Sequence, residues 1–206
     1  MDYLTFEKLP AELQNIATYK DIAAKQIIFQ QEETSKSIYF LLEGQLRLVS
    51  FTQERIINHL FIRPGESFAE VALFADTYLC TAIADLPSRL AVIDKEVFHQ
   101  ALRNLPDLAT LYINQLIYRF KTIKTLLDLR SIRSARERLL HYLLLKVESS
   151  SRTLVLQHPL KDMAIELGLS TEALSRTLAR LQEEGMITRK KRSITLNEDW
   201  LITNND

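Results

Sequence analysis

Residues 160–181, Leu160 to Leu181, constrain the fold more than any other stretch, because they spell two amphipathic helices with a turn between them. Apolar Met163, Ile165 or Leu167, then Leu169, Leu174, Leu178 and Leu181 fall where two such helices must meet, and small Ala164 permits a close crossing. Gly168 supplies the positive φ that ends the first helix. Ser170 stands where a side-chain oxygen can accept from the free N–H groups of the next. The outer face of the second helix is left with Thr171, Glu172, Ser175, Arg176, Ala179 and Arg180. Ala164, Gly168 and Leu174 sit at helix-turn-helix spacing, so the pattern predicts a DNA-reading element. A purely structural helical hairpin is the competing reading.

Charge is divided in a way that suits this. The 206 residues carry no formal net charge, yet residues 1–128 hold 13 Lys and Arg against 16 Asp and Glu, whereas residues 129–206 hold 13 against 10. The basic surplus lies with the helix pair, as a domain that neutralises phosphates requires. A solvated surface would account for so small a surplus equally well. Cys80 is the sole cysteine, which excludes an intramolecular disulfide framework, a cysteine zinc site and a four-cysteine iron–sulfur cluster within one chain. No secretory leader pattern opens the sequence, and the longest apolar run, 139–147, is interrupted by His141 and too short to span a bilayer, so the expectation is a cytoplasmic protein with no membrane partner. The histidines His59, His99, His141 and His158 show no metal-ligand spacing. No phosphate loop or nucleophile motif appears, and the chain is not expected to be an enzyme or to hold a metal site.

The remainder falls into recognisable blocks. A short helix is expected near 7–18, and short runs rich in Ile, Val, Phe, Leu and Tyr at 26–29, 37–42, 45–49, 55–62 and 90–93 read as strands, punctuated by Gly44 and Pro64-Gly65. Such spacing predicts an antiparallel barrel or jelly roll able to enclose a pocket. Residues 95–105 read as helix and stop before Pro106. From 107 to about 129 the apolar residues Ala109, Ile113, Leu116, Phe120, Ile123 and Leu127 step alternately by four and three, which is a heptad seam for a partner helix. A second stripe, Leu108, Leu111 or Tyr112, Ile117 and Leu126, would pack on the strand domain; a single helix buried on two sides of one monomer is the alternative. Ser134 to Glu137 is a capping box that starts another helix, Ser149 to Arg152 a loop and 153–156 a strand. Gly185 ends the second helix of the pair. Residues 186–188 and 193–196 then flank Arg189, Lys190, Lys191 and Arg192 as the basic tip of a hairpin wing, suited to phosphate contact. The expected architecture is α+β, with a jelly-roll effector domain over 1–105, a dimerisation helix over 106–130 and a winged helix-turn-helix over 131–206.

This order of parts, with turn Gly44 and the segment Arg63-Pro-Gly-Glu-Ser-Phe-Ala-Glu-Val-Ala-Leu-Phe74, resembles the Crp/Fnr superfamily of bacterial transcription regulators over nearly the whole chain. Glu172, Ser175 and Arg176 are similar to the Fnr-type reader, which implies a homodimer on an inverted repeat of TTGAT-like half-sites. Arg176 would donate to guanine O6 and N7, Glu172 accept from a cytosine amino group, and Ser175 serve either role. Ser170, Thr171, Arg180 and the wing residues Arg189, Lys190, Lys191 and Arg192 would touch phosphates. The resemblance also implies RNA polymerase as a partner of the DNA-bound dimer. A ligand-binding sensor or interaction protein with a DNA-inactive helix-turn-helix is the alternative function. In the cyclic-nucleotide-binding members a glutamate meets the ribose and an Arg-Ser or Arg-Thr pair the cyclic phosphate. Here Glu70 and Thr81 match, but Cys80 stands at the arginine and Ala69 at a common glycine, so cyclic AMP is not the expected ligand unless Arg63 or Arg89 reaches the pocket from elsewhere. Residues 68–82 resemble the DNR-like branch, which responds to nitric oxide through haem. Haem is therefore a candidate cofactor, with His59, His99 and Cys80 as possible axial donors. A small or apolar effector, or an effector-independent constitutive regulator, is the other reading.

Overall fold

The computed structural model describes residues 4–53, 56–147 and 151–197. It divides into two compact units, residues 1–120 and 121–206. In the first, a 3-10 turn at Phe6–Lys8 and helix α1 (Ala11–Ile16) precede eight strands: β1 (Thr18–Ile22), β2 (Ile27–Phe29), β3 (Ser37–Glu43), β4 (Leu46–Phe51), β5 (Ile56–Ile62), β6 (Ser67–Phe68), β7 (Thr81–Ala84) and β8 (Ser88–Asp94). They form two antiparallel sheets, ordered β1-β8-β3-β6 and β2-β7-β4-β5, which is the jelly roll expected. Arg55, expected to start a strand, lies outside the described residues, as do Ser149 and Ser150 of the expected loop.

Period-two alternation explains why the central strands carry no polar face. On β3, Tyr39 and Leu41 enter the core between the sheets, while Ile38 and Phe40 enter a second core beneath the helices. Leu90 and Val92 of β8 take the first side and Ala91 and Ile93 the second. A strand covered on both sides must be apolar throughout. The β3–β4 turn leaves no room for a side chain: a Cβ on Gly44, at φ +94°, would lie 2.2 Å from Ser88 Oγ and 2.4 Å from the Pro87 carbonyl oxygen. The expected 7–18 helix is shorter than the sequence implied, because β1 begins at Thr18 and pairs with β8.

Helix α2 (Lys95–Asn104) starts at Asp94, whose carboxylate accepts from the Glu96 and Val97 amides. Helix α3 (Pro106–Ser131) opens on proline, where a missing N–H costs nothing. Leu108 and Tyr112 of α3 are buried in the helix-side core, as expected of the second stripe. The stripe then departs from the sequence reading. Ile117 is exposed and Leu126 only half-buried, and the buried row continues through Gln115 and Arg119. The helical period carries 112 to 115 and 119, so polar residues occupy the inner face there.

In the second unit, α4 (Ala135–Lys146) begins at Ser134, whose Oγ accepts from Glu137 N at 3.3 Å. Strand β9 (Thr153–Val155) leads to α5 (Leu160–Leu167) and α6 (Thr171–Glu183), and β10 (Ile187–Lys190) and β11 (Ser193–Leu196) complete a sheet ordered β10-β11-β9. Leu139, Leu143, Leu167, Leu174, Leu178 and Leu181 are completely buried together, and each contributes about 1.5–3 kcal/mol by leaving water. Leu129, from the end of α3, belongs to the same core. Among the described residues no helix is long and apolar enough to cross a membrane.

Candidate functional site

The turn between α5 and α6 is made as its residues demand. Gly168 takes φ +64° and ψ +37° and closes α5, its N–H donating to Ile165 O at 3.1 Å. Ser170 Oγ accepts from Ala173 N at 3.1 Å and starts α6. The burial of Leu174, Leu178 and Leu181 fixes the rotation of α6, which leaves Thr171, Glu172, Ser175, Arg176, Ala179 and Arg180 exposed. Glu172 and Arg176 are one turn apart on that face. The backbone N–H of Glu172, then the Ser170 side chain and the Arg176 charge, hold the Glu172 carboxyl below the usual carboxylate range. Glu172 is thus an anion that can accept but not donate, while Arg176 can only donate. Ser175 can do either.

The expected phosphate contacts are not equally available. Ser170 and Thr171 stand exposed at the N-terminus of α6, where free N–H groups favour an anion. Arg180 is exposed but pairs with Glu184, Nε to Oε1 at 2.9 Å; the other oxygen of Glu184 accepts from Arg136 at 2.7 and 2.9 Å. These hydrogen bonds, first that from Arg136, hold the Glu184 carboxyl low. The wing tip is tighter than the four-residue run expected: Arg189 and Lys190 belong to β10, and Lys190 pairs directly with Ser193 across a two-residue turn. Lys190 and Lys191 are exposed and Arg189 half-exposed. The guanidinium of Arg192 turns back onto the main chain, donating to Leu156 O at 2.9 Å and Gln157 O at 2.7 Å. Its role in the structure is to hold the wing to the segment after β9.

On α3 the expected seam residues Ile113, Leu116, Phe120, Ile123 and Leu127 are all exposed, Phe120 by 69% and Leu127 by 67%. A row of large apolar side chains left in water along one helix face is what a partner helix covers.

The jelly roll presents the expected effector residues in a different state from that of a cyclic-nucleotide site. Glu70 Oε1 accepts from Ser67 Oγ at 3.0 Å and faces Arg119 Nε at 3.5 Å, and Arg119 also donates to Ser67 O at 2.6 Å. Arg119 reaches this carboxylate from α3 and was not legible as a site residue in the sequence. Thr81 is buried, its Oγ1 accepting from Gln31 N at 3.0 Å. Burial, and then the charge of Glu70, push the Cys80 thiol up to about 11, so a neutral thiol stands where a guanidinium would bind phosphate. Ala69 adopts the left-handed conformation at φ +67°, a position that favours the glycine it replaces. Phe29, Tyr39, Phe68 and Tyr78 stack inside the roll, with 3.9 Å between the Phe29 and Tyr78 centroids. The cavity beside them, lined by Phe29, Leu48, Glu70, Val71, Leu79 and Cys80 among others, is about 80 Å³. Ordinary ligand sites are about 300–1,000 Å³, so neither haem nor a nucleotide fits within it. The possible axial donors do not converge either: His59 of β5 has its Nε2 2.8 Å from Ser50 Oγ of β4, and His99 of α2 packs edge-on against Phe74.

Residues 19–104 match the cyclic nucleotide-binding domain family and residues 137–201 the Crp-like helix-turn-helix domain family. The chain is 28% identical over 179 residues to the Cyclic AMP receptor protein of Thermus thermophilus, covering 85% of this chain and 82% of that protein. It is 29% identical over 186 residues to the Regulatory protein HlyX of Actinobacillus pleuropneumoniae, covering 86% of this chain and 77% of that one. The structure of FixK2 from Bradyrhizobium japonicum shares the fold, with a TM-score of 0.70 at 19% identity over 93% of this chain and 98% of that chain.

Proposed function

Since the chain belongs to the Crp/Fnr superfamily of transcription regulators, whose members are DNA-binding proteins and not enzymes, we propose that it acts as a homodimer on an inverted repeat of TTGAT-like half-sites. The observation that carries this reading is the face of α6: Glu172, Ser175 and Arg176 are exposed while Leu174, Leu178 and Leu181 lock the helix from behind. Arg176 donates to guanine, Glu172 accepts from cytosine, and Ser175 completes the readout. Ser170, Thr171, Lys190 and Lys191 contact phosphates. The α3 seam pairs the two protomers, since two-fold protein symmetry matches an inverted repeat. RNA polymerase is the partner of the DNA-bound dimer.

The jelly roll of this chain does not take cyclic AMP, whatever its relative from Thermus thermophilus binds. Cys80 offers the phosphate no positive charge, the Thr81 hydroxyl already has a donor, and Glu70 is engaged by Arg119. On this reading, cyclic AMP is not what brings the chain to its DNA-competent state. The test is fluorescence anisotropy of effector-free protein on a TTGAT inverted repeat, a Crp-type site and a scrambled duplex at one salt concentration. Preference for the TTGAT repeat is expected and cyclic AMP leaves it unchanged. Equal affinity for all three duplexes would defeat the assignment of Glu172, Ser175 and Arg176.

A further inference from the structure

Helix α5 ends inside the second unit with more carbonyl oxygens than its own turn can satisfy. Gly168 N donates to Ile165 O and Leu169 N to Ala164 O, at 3.1 and 2.9 Å, but the last turn of any helix leaves further acceptors bare. Two arginines from outside α5 meet Glu166 O and Leu167 O, and one of them adds a second bond to Ile165 O. Arg130, the penultimate residue of α3, donates from Nε to Glu166 O at 3.1 Å and from Nη2 to Ile165 O at 3.0 Å. Arg138, in the first turns of α4, donates from Nη1 to Leu167 O at 2.8 Å. Its other side reaches Ile132 O, in the break between α3 and α4, from Nη2 at 2.6 Å and Nε at 3.0 Å. Tyr142 of α4 adds a bond from its hydroxyl to Glu166 Oε2 at 2.8 Å. Positive charge at a helix C-terminus is favourable in its own right, so carbonyls and dipole reward the same placement.

The sequence reads as a bend near Arg130 to Ser134, and Ile132 to Ser134 do interrupt the two helices α3 and α4. The side chains keep this break from being a free joint. Carbonyls of α5 and of the break itself are bonded to guanidinium groups on either side of the joint, and Leu129 lies in the same core as Leu167 and Leu174. Swinging α5 and α6 about the end of α3 would strip these acceptors of their charged donors while they are still partly shielded from water.

We propose that Arg130 and Arg138 form a clamp that makes the last turns of α3 and the helix pair α5–α6 one rigid lever, so that the seating of Ile123 and Leu127 against a partner sets the angle at which α6 is offered to DNA. Both arginines are positioning residues: neither touches a base, and each acts through the carbonyl oxygens it holds. The consequence for DNA rests on the dimeric reading given above, whereas the rigidity of the lever does not.

The test uses the full chain with Cys80→Ser, Lys124→Cys and Glu183→Cys, spin-labelled on α3 and α6 and mixed with excess unlabelled protein, so that pulsed electron resonance reads the distance within one protomer. A single narrow distance distribution is expected, broadened by Arg130→Met and by Arg138→Met, and partly narrowed again in Arg130→Lys. On DNA, Arg130→Met is expected to weaken binding to the best inverted repeat by about tenfold, to leave a single half-site within about twofold, and to flatten the penalty for changing the half-site spacing by one base pair. A distribution that stays narrow in Arg130→Met while the melting temperature falls would reduce the arginines to ordinary stabilising residues and overturn the clamp. A parent distribution that is already broad would overturn it as well. If the parent shows no preference for an inverted repeat, the dimeric reading fails, and the distance measurement still decides the clamp.

Discussion

Replacing Phe120 by alanine should dissociate the dimer without harming the protomer. Phe120 is 69% exposed on α3, and neither core of the first unit includes it. Folding of one chain therefore gains little from its ring. A phenylalanine side chain offers about 200 Å² to a partner. The exposed share is then about 140 Å², which at about 25 cal/mol per Å² amounts to roughly 3 kcal/mol once the alanine methyl is deducted. A two-fold interface uses the residue twice, giving roughly 6 kcal/mol if the rings are fully covered and roughly 3 if half their surface stays wet. Because about 1.4 kcal/mol is a tenfold change, even the lower figure raises the dimer dissociation constant by about a hundredfold. Sedimentation velocity over a dilution series measures that constant, and thermal melting of the monomeric fraction checks the protomer. Anisotropy on a full repeat and on one half-site completes the assay: affinity for the repeat should collapse toward that of the half-site. A dissociation constant moved by less than about fivefold would refute the claim that this exposed row is the dimer seam.

Arg176→Ala should cost about 1–3 kcal/mol on the preferred duplex and relax the choice at the guanine position, whereas Lys191→Ala should weaken all duplexes alike and lower the slope of log K against log salt by about one. Equal losses on preferred and scrambled duplexes for Arg176→Ala would remove it from the readout. Gly44→Ala should destabilise the jelly roll by at least about 2 kcal/mol in urea unfolding, from left-handed strain and forced displacement of Pro87 and Ser88. Ser88→Ala should not rescue it, because the Pro87 carbonyl oxygen would still lie 2.4 Å from the new Cβ. The Cys80 thiol, raised to about 11 in the folded chain against about 8.5 in an unfolded one, contributes stability that is complete below pH 8.5 and lost as pH rises toward 11. Iodoacetamide should accordingly alkylate native protein with a midpoint near 11, and Cys80→Ser should remove that part of the alkaline loss; a midpoint near 8.5 would show the thiol to be unshifted.

What could be read from the sequence was local, and what could not be read was made by contacts between distant residues. The turn of the DNA-reading element was legible because Gly168 and Ser170 each carry a reason for their place within a few residues. The exposed apolar row Ile113, Leu116, Phe120, Ile123 and Leu127 was legible for the same reason, as periodicity along one helix. Strand β1 was missed because four of its five residues are exposed, so no alternation marks it and pairing with β8 alone makes it a strand. The two-residue β6 and the small residues of β7 leave equally little trace. Arg119 follows Tyr118 and precedes Phe120 on α3, and no neighbour in sequence marks it. Its reason is Glu70, 49 positions earlier. Arg130 and Arg138 answer to carbonyls 29 to 36 positions away, and a carbonyl carries no residue type to search for.

The basic surplus of the second unit illustrates the difference between charge and contact. Its arginines do not all present donors outward. Arg130, Arg138 and Arg192 spend theirs on neutral carbonyl oxygens, which leaves their positive charge intact while committing the hydrogen bonds. Arg136 and Arg180 share the Glu184 carboxylate, whose single negative charge offsets part of the field of the two. The first group still adds to the field that draws an anionic duplex in, since attraction over several ångströms depends on charge and not on a free N–H. The exposed cations left for the proposed contacts are then few, chiefly Arg176 on α6 with Lys190 and Lys191 on the wing. On the proposed reading, attraction comes from many arginines and selectivity from Glu172, Ser175 and Arg176, which is why a net charge of zero over the whole chain carried so little information about what the chain binds.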